Sequence, residues 1–263
     1  MNKKLLALVG LIIIGTASAS GWLFFLPSSY DLSKYDKITF GVDAPYPPYE
    51  FFNSKGELTG FEIELGNKVC EFLELKCEWL VTPWDTIIPD LNAGKFDVIM
   101  SSMSIESERA KQVDFSKPYY STPSVFFARR GENIGGHSAR QLTGKTVAVQ
   151  RGTLQHDYML AEYGDDVKIM ALDGWEDVSA AFRAAEADLV FTDYPQWEEE
   201  FFLEKVYEIV GDTVSLGKGV GLAFRQDDDD LRKAMDAALE ELKENGEYQR
   251  IRRKYFLYDI MVK

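Results

Sequence analysis

The feature that most constrains the fold is the alternation of short apolar runs with segments of helical periodicity. The runs with strand character span residues 38–42, 77–81, 96–100, 145–150, 168–172, 189–191 and 221–225. The helical patterns span residues 61–74, 85–93, 155–163, 175–185, 231–244 and 247–255. This alternation predicts an α/β protein in which helices cover parallel sheets.

The predicted elements divide into two blocks of similar size, residues 37–121 and 122–217. Residues 218–263 are too few to fold alone, so we expect them to return to the first block and complete one lobe. The chain would then cross between the lobes twice, near residues 121–126 and 218–221. Two short crossings make a hinge, and closure around a ligand is an established use of that arrangement.

The formal net charge of -14 argues against a nucleic-acid partner, which would require a basic surface. Such a charge mildly favours cationic ligands through the long-range field, with solubility alone as the alternative. The hydrophobic fraction of 46% and the charged fraction of 27% are those of a globular protein.

The N-terminus has the pattern of a targeting segment. Two lysines precede an uncharged apolar run at residues 5–14, and Ala-Ser-Ala at 17–19 matches a signal-peptide cleavage site. The apolar character resumes at residues 22–26, so the whole uncharged stretch is also long enough to span a bilayer. We expect residues 1–26 to be a cleaved signal peptide, with an uncleaved membrane anchor as the alternative. In both cases the rest of the chain is exported.

Export places the only two cysteines, Cys70 and Cys77, in an oxidising compartment. Within one continuous helix they would lie about 10 Å apart along the axis, too far for a disulfide. A helix that ends near residue 73 and turns into the strand at 77–81 would let them meet. We therefore expect a disulfide between them, with two buried free thiols as the alternative.

Polar side chains follow several of the predicted strands. Residues 97–109 (DVIMSSMSIESER) join an apolar strand to the hydroxyls of Ser101, Ser102 and Ser104 and to the guanidinium of Arg109. Hydroxyls beside a guanidinium make a site for a carboxylate. Comparable segments are VDAPYPPYEF at 42–51, VQRGT at 149–153 and VFTDY at 190–194. Because open α/β sheets bind ligands at the carboxyl ends of their strands, we expect a small charged ligand there.

Several longer motifs occur in a fixed order: GELTGFEIEL at 56–65, IIPDLNAGKFDVIMSSMSI at 87–105, KQVDFSKPYY at 111–120 and NGEYQRIRRKYF at 245–256. With them, the chain resembles the exported family 3 solute-binding proteins of polar amino-acid ABC transporters. It is most similar to the branch that binds histidine, lysine, arginine and ornithine. The resemblance implies a two-lobed type II periplasmic binding protein, located in the periplasm, that delivers a basic L-amino acid to a membrane permease by cleft closure.

The resemblance also implies which residues bind the α-carboxylate and the α-ammonium group of the ligand. The groups expected at the α-carboxylate are Arg109, Ser104, the backbone at Ser102 and, from the other lobe, Gly152 and Thr153. Asp193 would bind the α-ammonium group. The alternatives from the residues alone are a surface arginine and a turn aspartate before a proline.

The same resemblance places Asp43, Tyr46 and Trp84 around the ligand side chain. Asp43 would face a cationic tip, and the two aromatic rings would enclose it, each face contributing about 0.5–2 kcal/mol. Ordinary packing is the alternative for both rings. We expect Ser101 to add a hydrogen bond and Gln150 to lie beside the cavity, where it suits arginine. Leu154 stands where many relatives have a hydroxyl residue, which puts one polar contact in doubt.

We predict binding rather than catalysis, with no catalytic residues, no cofactor and no metal. His137 and His156, the only histidines, share no metal-ligand spacing, and no G-x-S-x-G motif occurs. The alternatives are a binding protein for glutamine or glutamate, a dehydratase-like enzyme on the same fold, and a sensory receptor module. The predicted partners are the amino acid and the ABC permease, and we expect a monomer.

Overall fold

The structure is a computed structural model that describes residues 30–262, and its strands and helices are numbered in chain order. The first five-stranded sheet contains β1 (Lys37–Val42), β4 (Lys76–Val81), β5 (Val98–Ile99), β6 (Asp114–Phe115) and β12 (Ala223–Phe224). Their order in space is β4-β1-β5-β12-β6. β1 pairs in parallel with β4 and β5, whereas β12 pairs antiparallel with β5 and β6.

Helices cover this first sheet. They are α1 (Phe61–Phe72), α2 (Ile87–Asn92), α7 (Asp229–Glu244) and α8 (Glu247–Tyr255), with 3-10 turns at Trp84–Thr86 and Arg109–Lys111. A short hairpin, β2 (Phe51–Phe52) with β3 (Leu58–Thr59), precedes α1. The apolar faces of α1, α7 and α8 meet β1 in one core, which includes Phe40, Phe61 and Leu239.

The second five-stranded sheet contains β7 (Ser124–Arg129), β8 (Thr146–Gln150), β9 (Lys168–Leu172), β10 (Leu189–Asp193) and β11 (Tyr207–Val214). Their order in space is β11-β7-β10-β8-β9. β8 runs parallel to β9 and β10, whereas β7 is antiparallel to both β10 and β11.

The helices of the second lobe are α3 (Ala139–Leu142), α4 (Leu154–Tyr163), α5 (Trp175–Arg183) and α6 (Tyr194–Glu200), with 3-10 turns at Gly164–Asp166 and Phe202–Glu204. Successive residues of β7 face opposite sides of the sheet. Phe127 packs with Phe182 on one side, and Phe126 packs with Phe191 on the other. The central strands are therefore buried on both faces, which explains their continuous apolar runs.

The predicted two-lobed α/β fold is confirmed, but the prediction of parallel sheets is wrong in part. β7 and β11 were not predicted as strands, and β7 begins at Ser124, inside the crossing expected at residues 121–126. Ser124 lies opposite Asp193, the last residue of β10. The chain thus enters the second sheet at the edge where β10 ends. It then has to run back along the sheet, so β7 pairs antiparallel with β10.

The disulfide between Cys70 and Cys77 is present, with a Cα–Cα distance of 5.9 Å. α1 ends at Phe72, and the chain turns back so that the Leu75 N–H donates to the Cys70 carbonyl. β4 then begins at Lys76. The predicted disulfide is confirmed. The two cysteines can meet because α1 ends before Cys77 and the chain then turns back toward Cys70.

The predicted signal peptide or anchor, residues 1–26, lies outside the described residues. Between residues 30 and 262, no helix combines the length and apolar character needed to cross a bilayer. Residues 30–36, before β1, pack against the first lobe, where Lys34 Nζ lies 2.8 Å from Asp228 Oδ1. Asp228 belongs to the acidic run at 227–230 and directly precedes α7.

Candidate ligand-binding cleft

A cavity lies between the two lobes and is lined by residues of both. Its lining residues are Asp43, Tyr46, Glu50, Trp84, Ser101, Ser102, Ser104, Arg109, Gln150, Thr153, Leu154, Gln155 and Asp193. Every predicted ligand-binding residue except Gly152 lines this cavity, and the Gly152 carbonyl accepts a hydrogen bond from Trp84 Nε1 at 3.0 Å.

Strand ends bring these residues together. Asp43 follows β1, and Ser101 and Ser102 follow β5, the parallel neighbour of β1. Gln150 ends β8, and Asp193 ends β10, again a parallel pair. The carboxyl edges of the two sheets therefore face each other across the cavity, as expected for open α/β sheets.

The serines of the first lobe form an ordered polar floor. The backbone N–H of Asp43 donates to Ser101 Oγ at 2.8 Å, and Ser101 Oγ donates to Glu50 Oε1 at 2.9 Å. The Ser102 N–H donates to Glu62 Oε2 at 2.8 Å, with Ser102 held at a positive φ of 50°. A non-glycine residue in this left-handed region is unfavourable by itself. The buried carboxylate of Glu62 therefore stabilises the turn at Ser102, which lines the cavity.

Arg109 is buried, with 8% of its surface exposed. Its Nη1 donates to the Ser104 carbonyl at 3.0 Å and its Nη2 to the Gly152 carbonyl at 3.1 Å. The guanidinium carbon also lies 5.1 Å from the centre of the Trp84 ring. Because a guanidinium has five N–H donors, these contacts orient it and leave donors for an anion in the cavity.

Asp193 lies on the opposite wall. Its Oδ2 accepts from the Tyr46 hydroxyl at 3.0 Å, and its Oδ1 accepts from Gln155 Nε2 at 3.0 Å. Burial raises the pKa of Asp193 to about 6, although these hydrogen bonds oppose the shift. A partly buried carboxylate held by neutral donors is a suitable site for an ammonium group.

Asp43 is the second acidic residue of the cavity. Gln150 Nε2 donates to Asp43 Oδ2 at 2.9 Å. Burial raises the pKa of Asp43 to about 6; the Gln150 hydrogen bond opposes this shift, and the charge of Asp85 adds to it. The cavity thus carries carboxylates at Asp43 and Asp193 and a guanidinium at Arg109.

The two predicted aromatic residues are both in place. The Tyr46 ring stacks on Tyr49 with centres 5.8 Å apart and meets the edge of Trp175 at 6.0 Å. Trp84 is held through its Nε1 bond to Gly152 and its contact with Arg109. Neighbouring side chains therefore fix each ring at the cavity wall.

Sequence reasoning missed Glu50, Glu62 and Gln155. Glu50 stands among aromatic residues in PPYEFF, and Glu62 follows Phe61 in GFEIEL. An acidic residue in an apolar segment is itself a signal, because burial of a carboxylate requires a partner. Gln155 is the second residue of α4, and only the tertiary structure brings its side chain to Asp193.

The two histidines lie away from any metal-binding arrangement. His137 stacks on Phe126 with ring centres 4.9 Å apart, and its Nε2 lies 3.1 Å from the Asp212 carbonyl. His156 is in the first turn of α4 and does not line the cavity. Over the described part of the chain, no three His, Cys, Asp or Glu side chains cluster as metal ligands.

Residues 38–258 match the family model described as bacterial extracellular solute-binding proteins, family 3. An L-arginine-binding protein of Pseudomonas aeruginosa is 34% identical over 85% of this chain and 89% of that protein. A histidine-binding periplasmic protein of Salmonella typhimurium is 30% identical over 98% of each chain. A lysine/arginine/ornithine-binding periplasmic protein of Escherichia coli K12 is 31% identical over 99% of each chain.

Solved structures of amino-acid-binding proteins are also similar to this chain. An ancestral arginine-binding protein bound to arginine superimposes with a TM-score of 0.79 at 32% identity, covering 84% of this chain and 98% of that one. An ancestral amino acid-binding protein described as a precursor of cyclohexadienyl dehydratase superimposes with a TM-score of 0.77 at 30% identity, covering 85% and 97%. The fold therefore occurs both in binding proteins and in the ancestry of an enzyme.

Proposed function

Because the chain belongs to the bacterial extracellular solute-binding proteins of family 3, we propose that it binds a basic L-amino acid and delivers it to an ABC permease by closure of the cleft. The candidates are arginine, lysine, ornithine and histidine. The observation that carries the proposal is the charge pattern of the cavity, in which Arg109, Asp193 and Asp43 all line the same space between the lobes. A basic amino acid has the complementary pattern of one anion and two cations.

The backbone groups of the ligand would bind between the lobes. Arg109 would take the α-carboxylate with two parallel hydrogen bonds, supported by Ser104 and the backbone at Ser102. Gly152 and Thr153, just before α4, would approach the carboxylate from the second lobe. Asp193 would accept the α-ammonium, since its present partners are the neutral side chains of Tyr46 and Gln155.

The side-chain end would lie near Asp43, Tyr46 and Trp84. A cation there gains both the charge of Asp43 and the faces of the two rings. Ser101 and Gln150 border the same region, and both already contact Asp43. A glutamate ligand would bring a second carboxylate toward Asp43, which is the reason for preferring a cationic side chain.

The lobe boundaries stay a prediction: residues 37–121 with 218–263 for the first lobe, and residues 122–217 for the second. Their support is the composition of the two sheets, since β12 pairs with β5 and β6 after the chain has built the second sheet. Residues near 122 and 218 would then act as the hinge. The periplasmic location and the permease rest on family membership and on the names of the relatives, whereas the monomeric state stays a prediction.

A dehydratase-like enzyme is the second candidate. The observation that favours it is the raised pKa of both Asp43 and Asp193, since such groups suit proton transfer. Bound ligand recovered from the protein distinguishes the two candidates. A binding protein returns its amino acid unchanged after prolonged incubation, whereas an enzyme returns a product of altered mass.

The direct test is calorimetry with the twenty common amino acids and ornithine, on protein first unfolded and refolded to remove any ligand carried through purification. We expect saturable binding of one or more basic amino acids, and weaker or no binding of glutamine and glutamate. Tighter binding of glutamine or glutamate than of every basic amino acid would overturn the proposed ligand class and leave the family assignment intact.

A further inference from the structure

Gln196 is a fully buried glutamine that none of the roles above uses. It is the third residue of α6, between the buried residues Pro195 and Trp197, and 0% of its surface is exposed. It does not line the cavity. A buried side-chain amide is unfavourable unless it forms hydrogen bonds, so the partner of this amide indicates what the residue does.

The amide of Gln196 bonds to the other lobe. Its Nε2 donates to the Pro47 carbonyl at 2.7 Å. Pro47 lies in the loop between β1 and β2, whereas α6 directly follows β10 of the second sheet. Among the residues that the structure describes, no second donor reaches this carbonyl. The Gln196–Pro47 bond is therefore a direct link between the lobes.

The linked loop carries Tyr46 into the cavity. Prolines at positions 45, 47 and 48 leave the loop few N–H donors, so a neighbouring element has mainly its carbonyl groups to bind. Directly before Pro47, the Tyr46 hydroxyl donates to Asp193 Oδ2 at 3.0 Å. Asp193 is the residue before α6. Residues 193–196 thus hold Tyr46 and Pro47 by two hydrogen bonds, one in the cavity and one outside it.

α6 makes another contact with the first lobe outside the cavity. The Tyr194 ring meets Tyr258 at right angles, with ring centres 5.5 Å apart, and Tyr258 packs against the core of the first lobe. The hydrogen bonds from Trp84 and Arg109 to Gly152, and from Gln150 to Asp43, also cross between the lobes. Those bonds involve groups assigned to the ligand, whereas the Gln196 bond does not.

Resting on the proposed function, we propose that Gln196 is a positioning residue for cleft closure, whose amide sets how long the closed cleft retains its ligand. The amide holds the Tyr46–Pro47 loop against α6 while the lobes are together. When the lobes separate, this bond breaks and water replaces it at both groups. The bond therefore favours the closed conformation without contact to the ligand.

This role affects ligand release more than ligand entry. Release requires the cleft to open, so a closed conformation that lacks the Gln196–Pro47 bond opens sooner and loses its ligand faster. Entry takes place into the open cleft, where the bond is already broken. Loss of the bond should therefore raise the dissociation rate and leave the association rate unchanged.

The experiment compares two variants of Gln196 with the wild type. Gln196→Glu keeps the size of the side chain and replaces the NH2 donor by a carboxylate oxygen, which is repelled by the Pro47 carbonyl. Gln196→Asn keeps the amide and shortens the side chain by one methylene. The matched control is Gln226→Glu, because Gln226 is exposed and its Nε2 donates to the Lys111 carbonyl within one lobe.

Three quantities are measured at pH 8. Release is followed by chasing radiolabelled L-arginine, or the other basic amino acid that calorimetry identifies, from its complex with excess unlabelled ligand. Entry is followed by stopped-flow tryptophan fluorescence. Urea unfolding of the ligand-free protein shows whether each variant folds.

For Gln196→Glu we expect the release rate to rise at least about tenfold, because the closed form would bury the Pro47 carbonyl without a donor. For Gln196→Asn we expect a rise of at least about threefold. Entry rates should stay within about twofold of wild type, and the urea midpoints of the ligand-free variants should match that of the wild type. Gln226→Glu should behave as wild type throughout.

Two kinetic results would overturn the inference and leave the proposed function intact: wild-type release rates in both Gln196 variants, or losses of affinity that arise entirely from slower entry. If Gln196→Glu does not fold, Gln196→Asn decides. If neither variant folds, Gln196 is a core residue of the second lobe and the inference is wrong. Failure of the wild type to bind any basic amino acid would refute the proposed function and this inference with it.

Discussion

Gln150 Nε2 donates a 2.9 Å hydrogen bond to Asp43 Oδ2, and this bond joins the carboxyl end of β8 in one lobe to the residue after β1 in the other. The acid expected to face a cationic ligand thus has a neutral amide from the other lobe as its partner. A cationic ligand therefore has to displace the Gln150 amide from Asp43, or bind the Asp43 carboxylate together with that amide.

The first prediction concerns Asp43. We expect Asp43→Asn to lower arginine affinity at least about tenfold, or about 1.4 kcal/mol, because the ligand loses a carboxylate beside its guanidinium. Asp173→Asn, on an exposed residue that pairs with Arg151, removes the same charge outside the cavity and should have little effect. Calorimetry on the two variants decides the matter. Equal arginine affinity in Asp43→Asn and wild type would make Asp43 a structural residue.

The second prediction concerns Arg109. Arg109→Ala should cost about 2–5 kcal/mol of ligand binding, because the α-carboxylate would be buried without its counter-charge. Arg109→Lys should recover part of this loss, since it keeps the charge without the two-pronged geometry. The control is Arg151→Ala, an exposed arginine one residue before Gly152. Retention of wild-type affinity in Arg109→Ala would exclude the proposed role.

The third prediction concerns pH and stability. Asp43 and Asp193 have a pKa of about 6 when folded, above the usual value of 3.8. The folded protein therefore binds more protons than the unfolded chain between about pH 4 and 6. Each residue contributes a loss of up to about 3 kcal/mol in the free energy of unfolding as pH rises through this window.

Urea unfolding of ligand-free protein at pH 4.5, 6 and 7.5 measures this effect. Other carboxyl groups, such as Asp228, have a lowered pKa and act in the opposite direction, so the wild type alone is not informative. We expect Asp43→Asn to be more stable than wild type at pH 7.5, with the difference shrinking toward pH 4.5. A difference that is constant with pH would show that Asp43 ionises normally.

The fourth prediction concerns the disulfide. The Cys70→Ser/Cys77→Ser double variant should lose about 2–3 kcal/mol of stability, because the bridge closes only a short loop between α1 and β4. Ligand affinity should stay within about threefold of wild type, since neither cysteine lines the cavity. Thermal unfolding with and without reductant, followed by calorimetry, tests both statements. A large loss of binding in the folded double variant would contradict them.

Much of the candidate site could be predicted because it lies at strand ends. Asp43, Ser101, Gln150 and Asp193 each follow a short apolar run, and the ends of parallel strands meet at one edge of a sheet. Local pattern is enough to find such residues. It was not enough for β7 and β11, whose direction depends on where the chain enters the second sheet.

Sequence alone determined the α/β class, the family, the cysteine pair and the strand-end residues, because each depends on short-range pattern or on motifs in a fixed order. Only the tertiary structure decided the partners: Gln150 for Asp43, Gln155 for Asp193, and Glu62 behind Glu50. These contacts join segments distant in the chain, often across the two lobes. The free energy that each contact contributes depends on burial and on the nearest opposite charge, and both are set by the tertiary packing.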